Sequence, residues 1–165
     1  AGGRDAHNPP SGFFGGPLPG LVDMSFSDVT GVEGYAFSGQ TTKTLPMTPP
    51  LRDLLADTNA RLGTTFNGLL VNLYADGSET IGAHSDSPEG LEPAGKAAAL
   101  SLGADRIFRA RHKYRHSAPV DVQTRHGQLL VMDGAFQEEF THEVPVQKKI
   151  GGRRVSITFR THVAS

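Results

Sequence analysis

The chain of 165 residues contains no cysteine and no tryptophan. Without cysteine there are no disulfides, no thiolate metal ligands and no cysteine nucleophile, and we expect an intracellular, reducing compartment such as the cytoplasm or nucleus. No apolar run approaches the roughly 20 residues of a membrane-spanning helix, so no membrane partner is predicted. The net charge is −1 and the pI is near 6.7, so the overall charge does not indicate a nucleic-acid partner.

Glycine and proline are concentrated at the N-terminal end. Residues 1–20 hold six glycines and four prolines, which predicts a loop segment without regular structure. Residues 21–165 have the composition of one globular domain, which we expect to be a monomer. In this region YAFSGQTTKTL alternates apolar and polar residues between turn signals, and it predicts a hairpin around Tyr35 and Phe37.

The remaining pattern indicates one helix followed by strands. Residues 48–62 carry leucines at helical spacing, with Thr48 as the capping residue and Gly63 as the terminator. Further along, FNGLLVNLY, AAALSLG, RIFRARHKY, PVDVQ, QLLVMDG and RRVSITFRTH are strand candidates. Short strands at regular spacing after a single helix predict a mainly β fold with a flanking helix, such as a sandwich, jelly roll or barrel.

The stretch IGAHSDSPEG places His84 and Asp86 two residues apart between glycine-containing turns. An H-x-D pair is common by chance, but His142 in EEFTHEVP offers a third ligand 56 positions after Asp86. Two histidines and one carboxylate form the facial triad that holds non-haem Fe(II) and leaves other positions open. A second interpretation stays open, in which these are ordinary surface or core histidines.

The last strand candidate, RVSITFR, has one apolar and one polar face. Its polar face carries Arg154, Ser156, Thr158 and Arg160. Two permanently charged guanidinium groups on one face need an anionic partner, and a small dicarboxylate would suit them. Asn72 and Tyr74 share one face of the earlier strand NGLLVNLY and could add hydrogen-bond donors. The alternative is a solvated strand face.

Four motifs stand in a particular order along the chain: NLYADGSETIGAHSD, LSLGADRIFRAR, FTHEVP and RVSITFR. In order and spacing they resemble the AlkB family of Fe(II)/2-oxoglutarate dioxygenases, over about residues 35–160. The resemblance implies a double-stranded β-helix, or jelly roll. It further implies that His84, Asp86 and His142 hold Fe(II). The residues it places around 2-oxoglutarate are Asn72, Tyr74, Arg154, Ser156 and Arg160.

The same resemblance implies an activity, the oxidative demethylation of N-alkylated bases in DNA or RNA with O2. This reaction is coupled to the decarboxylation of 2-oxoglutarate to succinate and CO2, and the methylated base is taken from a single strand or flipped out of a duplex. Residues 24–47 resemble the family's nucleotide-recognition lid. The expected substrate contacts are Tyr35, Phe37, Glu89, Arg109 and Arg111. Two basic clusters extend this set: Arg106, Lys113 and Arg115 beside the two arginines, and Lys148, Lys149 and Arg153.

Some positions depart from the family pattern. Ser87 and Pro88 stand where members often carry an acidic pair that reads the base, and Phe140 stands where a tryptophan often precedes the second histidine. These departures leave the predicted metal and cosubstrate site intact and concern the substrate. Two alternatives therefore stay open. One is an oxygenase of the same chemistry that acts on a protein or small molecule, and the other is a non-catalytic jelly-roll binding module.

Overall fold

The structure, a computed structural model, describes residues 22–29, 35–37, 40–87, 91–92 and 95–163. Its strands and helices follow in the order β1 (Val22–Ser27), β2 (Tyr35–Phe37), β3 (Gln40–Thr42), β4 (Thr44–Leu45), α1 (Pro49–Leu62), β5 (Gly68–Tyr74), β6 (Ile81–His84), β7 (Ala97–Gly103), β8 (Arg106–His112), β9 (Val120–Thr124), β10 (Leu129–Met132), α2 (Phe136–Glu139), β11 (Phe140–Val144) and β12 (Arg154–Arg160). The predicted mainly β fold with a flanking helix is confirmed.

Helix α1 forms where the leucine spacing predicts it. Two prolines occupy its first turn, where their missing N–H groups cost no hydrogen bond, and Gly63 ends it with a left-handed backbone at φ 63°. Thr48 lies at the N-cap position, but its side chain makes no capping hydrogen bond. The four leucines of the stripe pack against the main hydrophobic core, as predicted: Leu51, Leu54, Leu55 and Leu62.

The larger sheet has six strands in the order β10-β7-β12-β5-β1-β4. All its pairs are antiparallel except β1 with β4. Alternation along β12 and β5 divides their side chains between two faces, because neighbouring residues of a strand point to opposite sides. Leu69, Ile157 and Phe159 belong to the core on the α1 side. The opposite face lines a cavity, and the predicted faces of both strands are confirmed.

The smaller sheet has four strands in the order β6-β11-β8-β9. β6 and β11 are short, and their antiparallel register places His84 directly opposite His142. The cavity lies between the two sheets, since residues from β5 and β12 line it together with residues from β6, β8 and β11. Two facing sheets around a central cavity are the arrangement that the jelly-roll prediction requires.

Two details refine the predicted elements. β8 ends at His112, so Lys113 and Arg115 do not extend the strand, contrary to the predicted alternating run. The hairpin expected around Tyr35 and Phe37 is present as β2 paired with β3. Residues 24–27 of the predicted lid range lie instead in β1 of the larger sheet.

In the part of the chain described, no helix combines the length and apolarity needed to cross a bilayer.

Candidate metal centre and adjoining cavity

His84, Asp86 and His142 converge at one end of the cavity. The two histidine rings face each other across β6 and β11 with their centroids 4.4 Å apart. The Asp86 carboxylate lies just past the end of β6, and its Oδ1 is 3.8 Å from Nε2 of each histidine. The three candidate ligand atoms lie within 4.8 Å of one another, close enough to bind one ion. The predicted facial triad is therefore assembled.

Both imidazoles are held in the neutral form that a metal requires. Nδ1 of His84 lies 2.8 Å from the carbonyl oxygen of Gly82, and as an N–H donor there it gives Nε2 the lone pair that a metal ligand needs. Burial lowers the pKa of His84, and it lowers the pKa of His142 to about 3. The Phe108 ring stacks on His142 at a centroid distance of 5.2 Å and fixes its plane.

Asp86 is buried and stays ionised. Its Oδ2 forms an ion pair with Arg160 and accepts a hydrogen bond from Nε2 of Gln137 at 2.5 Å. Burial by itself raises the pKa of this carboxyl, but the Arg160 charge and the neighbouring histidines outweigh it and hold the pKa well below its usual range. An ionised carboxylate between two neutral imidazoles is the donor set that suits Fe(II).

Arg154 lies at the other end of the polar face of β12. It is 3% exposed, and its guanidinium group is 5.1 Å from the centre of the Tyr74 ring. Nη2 donates to Oγ of Ser101 at 2.9 Å, while Nε and Nη1 make no hydrogen bond within the described part of the chain. No carboxylate among the described residues forms an ion pair with Arg154. A buried guanidinium group without an anionic partner is costly, so this end of the cavity is built to bind an anion.

The other predicted cosubstrate residues lie along the same wall. Asn72, Tyr74 and Ser156 are buried, and all three line the cavity. Burial raises the pKa of Tyr74 to about 12, so its hydroxyl keeps its proton at neutral pH and can donate to a carboxylate. The Asn72 amide donates to Oδ1 of Asp23 on β1 at 2.5 Å. The two predicted arginines thus differ, because Arg160 is paired with the candidate metal ligand Asp86 and Arg154 has no such ion pair among the described residues.

The donor set fits both groups that the sequence implies. Two neutral imidazoles and one carboxylate would hold Fe(II), and they leave other coordination positions open. A dicarboxylate in the cavity would bring one carboxylate to the unused donors of Arg154 and the Tyr74 hydroxyl. The space between the sheets, about 640 Å³ when the open solvent at its mouth is counted, is lined by both the triad and Arg154.

A second, wider groove lies on the outer side of the triad. Asp86 and Arg160 line both the groove and the inner cavity, so the two spaces meet at the candidate metal site. Lys96, Lys113 and Tyr114 also line the groove, and Tyr114 is 77% exposed. This outer groove therefore reaches Asp86 and Arg160 of the candidate metal site from the protein surface.

The predicted substrate residues are only partly assembled. Arg109 donates to both carboxylate oxygens of Asp121 at 2.6 and 2.7 Å, and Arg111 lies 3.5 Å from Glu143. Both alternate with the buried Phe108 and Ala110, so they lie on the outer face of the smaller sheet, and neither lines the cavity or the groove. Glu89 and the side chains of Tyr35 and Phe37 lie outside the described residues.

Of the two wider basic clusters, the first does not form as predicted, because it loses Arg106. Arg106 is 1% exposed, and its guanidinium group donates to the carbonyl oxygens of Asp76, Glu79 and Pro145. It joins two turns of the chain inside the protein and adds nothing to a surface patch. Lys148, Lys149 and Arg153 are exposed in the segment before β12, next to Arg154 and away from the metal ligands.

Sequence reasoning missed two partners of the site. Gln137 holds Asp86 from α2, 51 positions along the chain, and Ser101 on β7 holds Arg154 from 53 positions away. No motif marks either residue. The only available signal was the alternation of AAALSLG, which places a serine on the same face as buried alanines.

Comparison with known proteins identifies the family. Residues 17–160 match the family model of the 2OG-Fe(II) oxygenase superfamily. The chain belongs to this superfamily. Among the curated relatives of this oxygenase, human DNA oxidative demethylase ALKBH2 is 38% identical over 133 residues, which cover 76% of this chain and 51% of the relative. Alpha-ketoglutarate-dependent dioxygenase alkB homolog 3 of Rattus norvegicus is 36% identical over 136 residues, 77% of this chain and 46% of the relative.

The resemblance to the AlkB family and the expectation of Fe(II) and 2-oxoglutarate are confirmed by these matches. This oxygenase chain spans about half the length of the curated relatives it matches. The solved structure of OsALKBH1 superposes with a TM-score of 0.59 over 90% of this chain and 80% of that one, at 21% identity. This last similarity supports the fold alone.

Proposed function

We propose that this chain catalyses the oxidative demethylation of N-alkylated bases in DNA or RNA, coupled to the decarboxylation of 2-oxoglutarate to succinate and CO2. One observation carries the proposal: a neutral two-histidine, one-carboxylate triad shares a cavity with a buried arginine that has no anionic partner. The relatives, a DNA oxidative demethylase among them, support a nucleic-acid substrate.

Bound together, Fe(II) and 2-oxoglutarate supply the oxidation of an N-methyl carbon by O2, after which the hydroxymethyl group leaves as formaldehyde. The residues of the chain position and separate the reactants. Arg154 and Tyr74 would hold one carboxylate of the diacid. Phe108 fixes the plane of the His142 ring, and Arg160 and Gln137 orient Asp86. Burial of the triad keeps bulk water from the reacting carbon.

The outer groove is the proposed path of the substrate. A base taken from a single strand or flipped from a duplex would reach the metal along it, with Tyr114 as an exposed ring for stacking and Lys113 beside it. Residues 28–47, which include β2 and β3, are the proposed recognition lid, with Tyr35, Phe37 and Glu89 as further contacts. We also propose that the protein acts as a monomer inside the cell, in the cytoplasm or nucleus.

The proposal is tested with a panel of DNA and RNA oligonucleotides that carry 1-methyladenine, 3-methylcytosine or N6-methyladenine. Loss of the methyl group is followed by mass spectrometry and succinate is measured in the same reaction. His84→Ala is the inactive control, because it removes one of the three candidate metal ligands. Succinate formation without demethylation of any oligonucleotide would favour a protein or small-molecule substrate. Absence of succinate formation altogether would favour a binding module.

A second experiment tests the route of the nucleic acid. The affinity for a single-stranded oligonucleotide is measured at several salt concentrations for Lys113→Ala and for the Arg109→Ala/Arg111→Ala double variant. Loss of one phosphate contact flattens the slope of log affinity against log salt by about 0.7 for single strands. We expect this change for Lys113→Ala and a smaller one for the double variant, because its arginines are already paired with acidic residues. A larger change in slope for the double variant than for Lys113→Ala would indicate that the nucleic acid binds along the outer face of the smaller sheet.

A further inference from the structure

Gln137 contacts Asp86 through both ends of its side-chain amide. Its Oε1 accepts a hydrogen bond from the backbone N–H of Asp86 at 2.9 Å, and its Nε2 donates to Oδ2 of the same residue at 2.5 Å. The glutamine lies in the short helix α2, which leads directly into β11 and His142. A single side chain therefore fixes both the backbone and the carboxylate of the aspartate.

The two carboxylate oxygens of Asp86 have different partners. Oδ2 receives the Gln137 hydrogen bond and the Arg160 ion pair. Oδ1 is the oxygen that lies 3.8 Å from Nε2 of both His84 and His142. Rotation of the carboxylate to bring both oxygens to a metal would break the contacts that hold Oδ2. Only one oxygen is therefore directed towards the metal position.

We propose that Gln137 is a positioning residue that makes Asp86 a monodentate ligand. A monodentate carboxylate uses one coordination position, whereas a bidentate carboxylate would take a second position that the facial triad leaves open for other ligands. The proposal rests on the metal site and is independent of which substrate the protein oxidises. Partners of this kind orient metal ligands, and their removal typically lowers metal affinity or activity about 10–100-fold.

A purely structural role for Gln137 has to be separated from this one. Ser85 provides the comparison, because its Oγ donates to the carbonyl oxygen of Phe140 at 2.8 Å and ties the same loop to the start of β11. Ser85→Ala removes a loop contact without removing a contact to the carboxylate. Gln137→Leu removes both amide contacts, whereas Gln137→Glu keeps an acceptor for the backbone N–H and loses the donor to Oδ2. Gln123→Leu, at an exposed position of β9, is the matched surface control.

The experiment measures metal binding in the absence of turnover. The Mn(II) affinity is determined from the EPR signal of the free ion, the visible spectrum of the Co(II) protein reports the coordination number, and the melting temperature of the metal-free protein reports the fold. We expect Gln137→Leu and Gln137→Glu to weaken Mn(II) binding about 10–100-fold and to change the Co(II) spectrum. Ser85→Ala and Gln123→Leu should keep the wild-type affinity and spectrum.

Wild-type affinity and an unchanged Co(II) spectrum in a folded Gln137→Glu variant would overturn the proposal, even if its melting temperature falls. If Gln137→Leu does not fold, Gln137→Glu and Ser85→Ala still decide between the two roles. Failure of the wild-type protein to bind Mn(II) or Co(II) would overturn the metal site itself. Metal binding without any demethylation would instead leave this inference standing and contradict only the proposed substrate.

Discussion

Arg154 and Arg160 belong to one strand face, yet they have opposite surroundings. Arg160 is paired with Asp86, which keeps that carboxylate ionised. Arg154 has a serine hydroxyl and an aromatic ring as its resolved partners. A buried charge of this kind lowers the stability of the ligand-free protein, because its desolvation is not offset by a counter-charge. The same charge becomes favourable when an anion binds.

We therefore expect Arg154→Met to have opposite effects on stability and on binding. Removal of the uncompensated charge should raise the melting temperature of the ligand-free protein by about 2–4 °C, the shift that 1 kcal/mol gives in a domain of this size. The affinity for 2-oxoglutarate, measured by calorimetry with Mn(II), should fall by roughly 1.5–3 kcal/mol through loss of charge-assisted hydrogen bonds. If the variant binds 2-oxoglutarate as tightly as the wild type, Arg154 does not contribute to the cosubstrate site.

Tyr74 should make the folded protein sensitive to alkali. Its pKa is raised to about 12 in the folded protein, mainly by burial, against about 10 in an unfolded chain. Between these two values the unfolded chain has lost the proton and the folded protein has kept it, so stability falls as the pH rises. The loss should be about 1.4 kcal/mol per pH unit from pH 10 towards pH 12.

The measurement compares denaturant unfolding of the wild type and Tyr74→Phe at pH 8 to 11. The stability of the variant should depend less on pH over this range. A tyrosinate absorbance titration gives the second readout, because the difference between the two proteins isolates the ionisation of Tyr74. Ionisation of Tyr74 near pH 10 in the folded protein would contradict the burial argument.

At the scale of elements, the start of β5 depends on one close contact. A Cβ atom at Gly68 would lie 2.3 Å from Cδ2 of His162, a residue that Asn67 holds through two hydrogen bonds to its main chain. Gly68 also pairs with Arg160 in β12. The chain after β12 is therefore packed against the first residue of β5, close to the metal end of the larger sheet.

We expect Gly68→Ala to destabilise the protein by roughly 1–3 kcal/mol, the usual cost of overpacking a buried contact. Denaturant unfolding measures the change. Gly151→Ala is the matched control, because a Cβ atom there meets nothing within 4 Å. His162→Ala should recover much of the loss in the double variant if the clash is the cause. An equal loss with and without the histidine would assign the effect to the backbone instead.

The elements also show how far the sequence could predict the structure. Leucine spacing and flanking turn residues were enough for α1, and strict alternation was enough for the two faces of β12, because both signals are local. Local patterns carry no information about strand register, so the pairing of Arg109 with Asp121 on β9 was not predictable. The burial of Arg106 was missed for the same reason. Its acceptors lie in two distant turns of the chain.

At the scale of the whole molecule, each of the two sheets contributes a different set of residues to the candidate site. The candidate metal ligands come from β6, the loop after it and β11 of the smaller sheet, while Arg154, Tyr74 and Asn72 belong to the larger sheet. The residues that the ordered motifs of the family resemblance named lie around one cavity, and their roles stay predictions. The sequence could not show that the diacid site and the metal site depend on how the sheets face each other.

We expect metal and 2-oxoglutarate to stabilise the protein cooperatively. In the proposed site a metal would hold one end of the diacid and Arg154 the other, so each ligand should bind more tightly when the other is present. The melting temperature is measured under anaerobic conditions with Mn(II), with 2-oxoglutarate and with both. The combined shift should exceed the sum of the separate shifts, and Arg154→Met should remove the excess. Strictly additive shifts in the wild type would mean that the two ligands do not share one cavity.

The buried position of Arg154 has a consequence for cosubstrate choice. Its guanidinium group is fixed by Ser101 and the Tyr74 ring, and the metal ligands are fixed at the other end of the same strand face. If the diacid binds as proposed, the separation of these two anchors would set the length of the 2-oxo acid that can reach both of them. Oxaloacetate, one methylene shorter, would leave the guanidinium group without its carboxylate, and 2-oxoadipate, one methylene longer, would be compressed between the anchors. The proposed function therefore implies that the protein uses 2-oxo acids of one chain length.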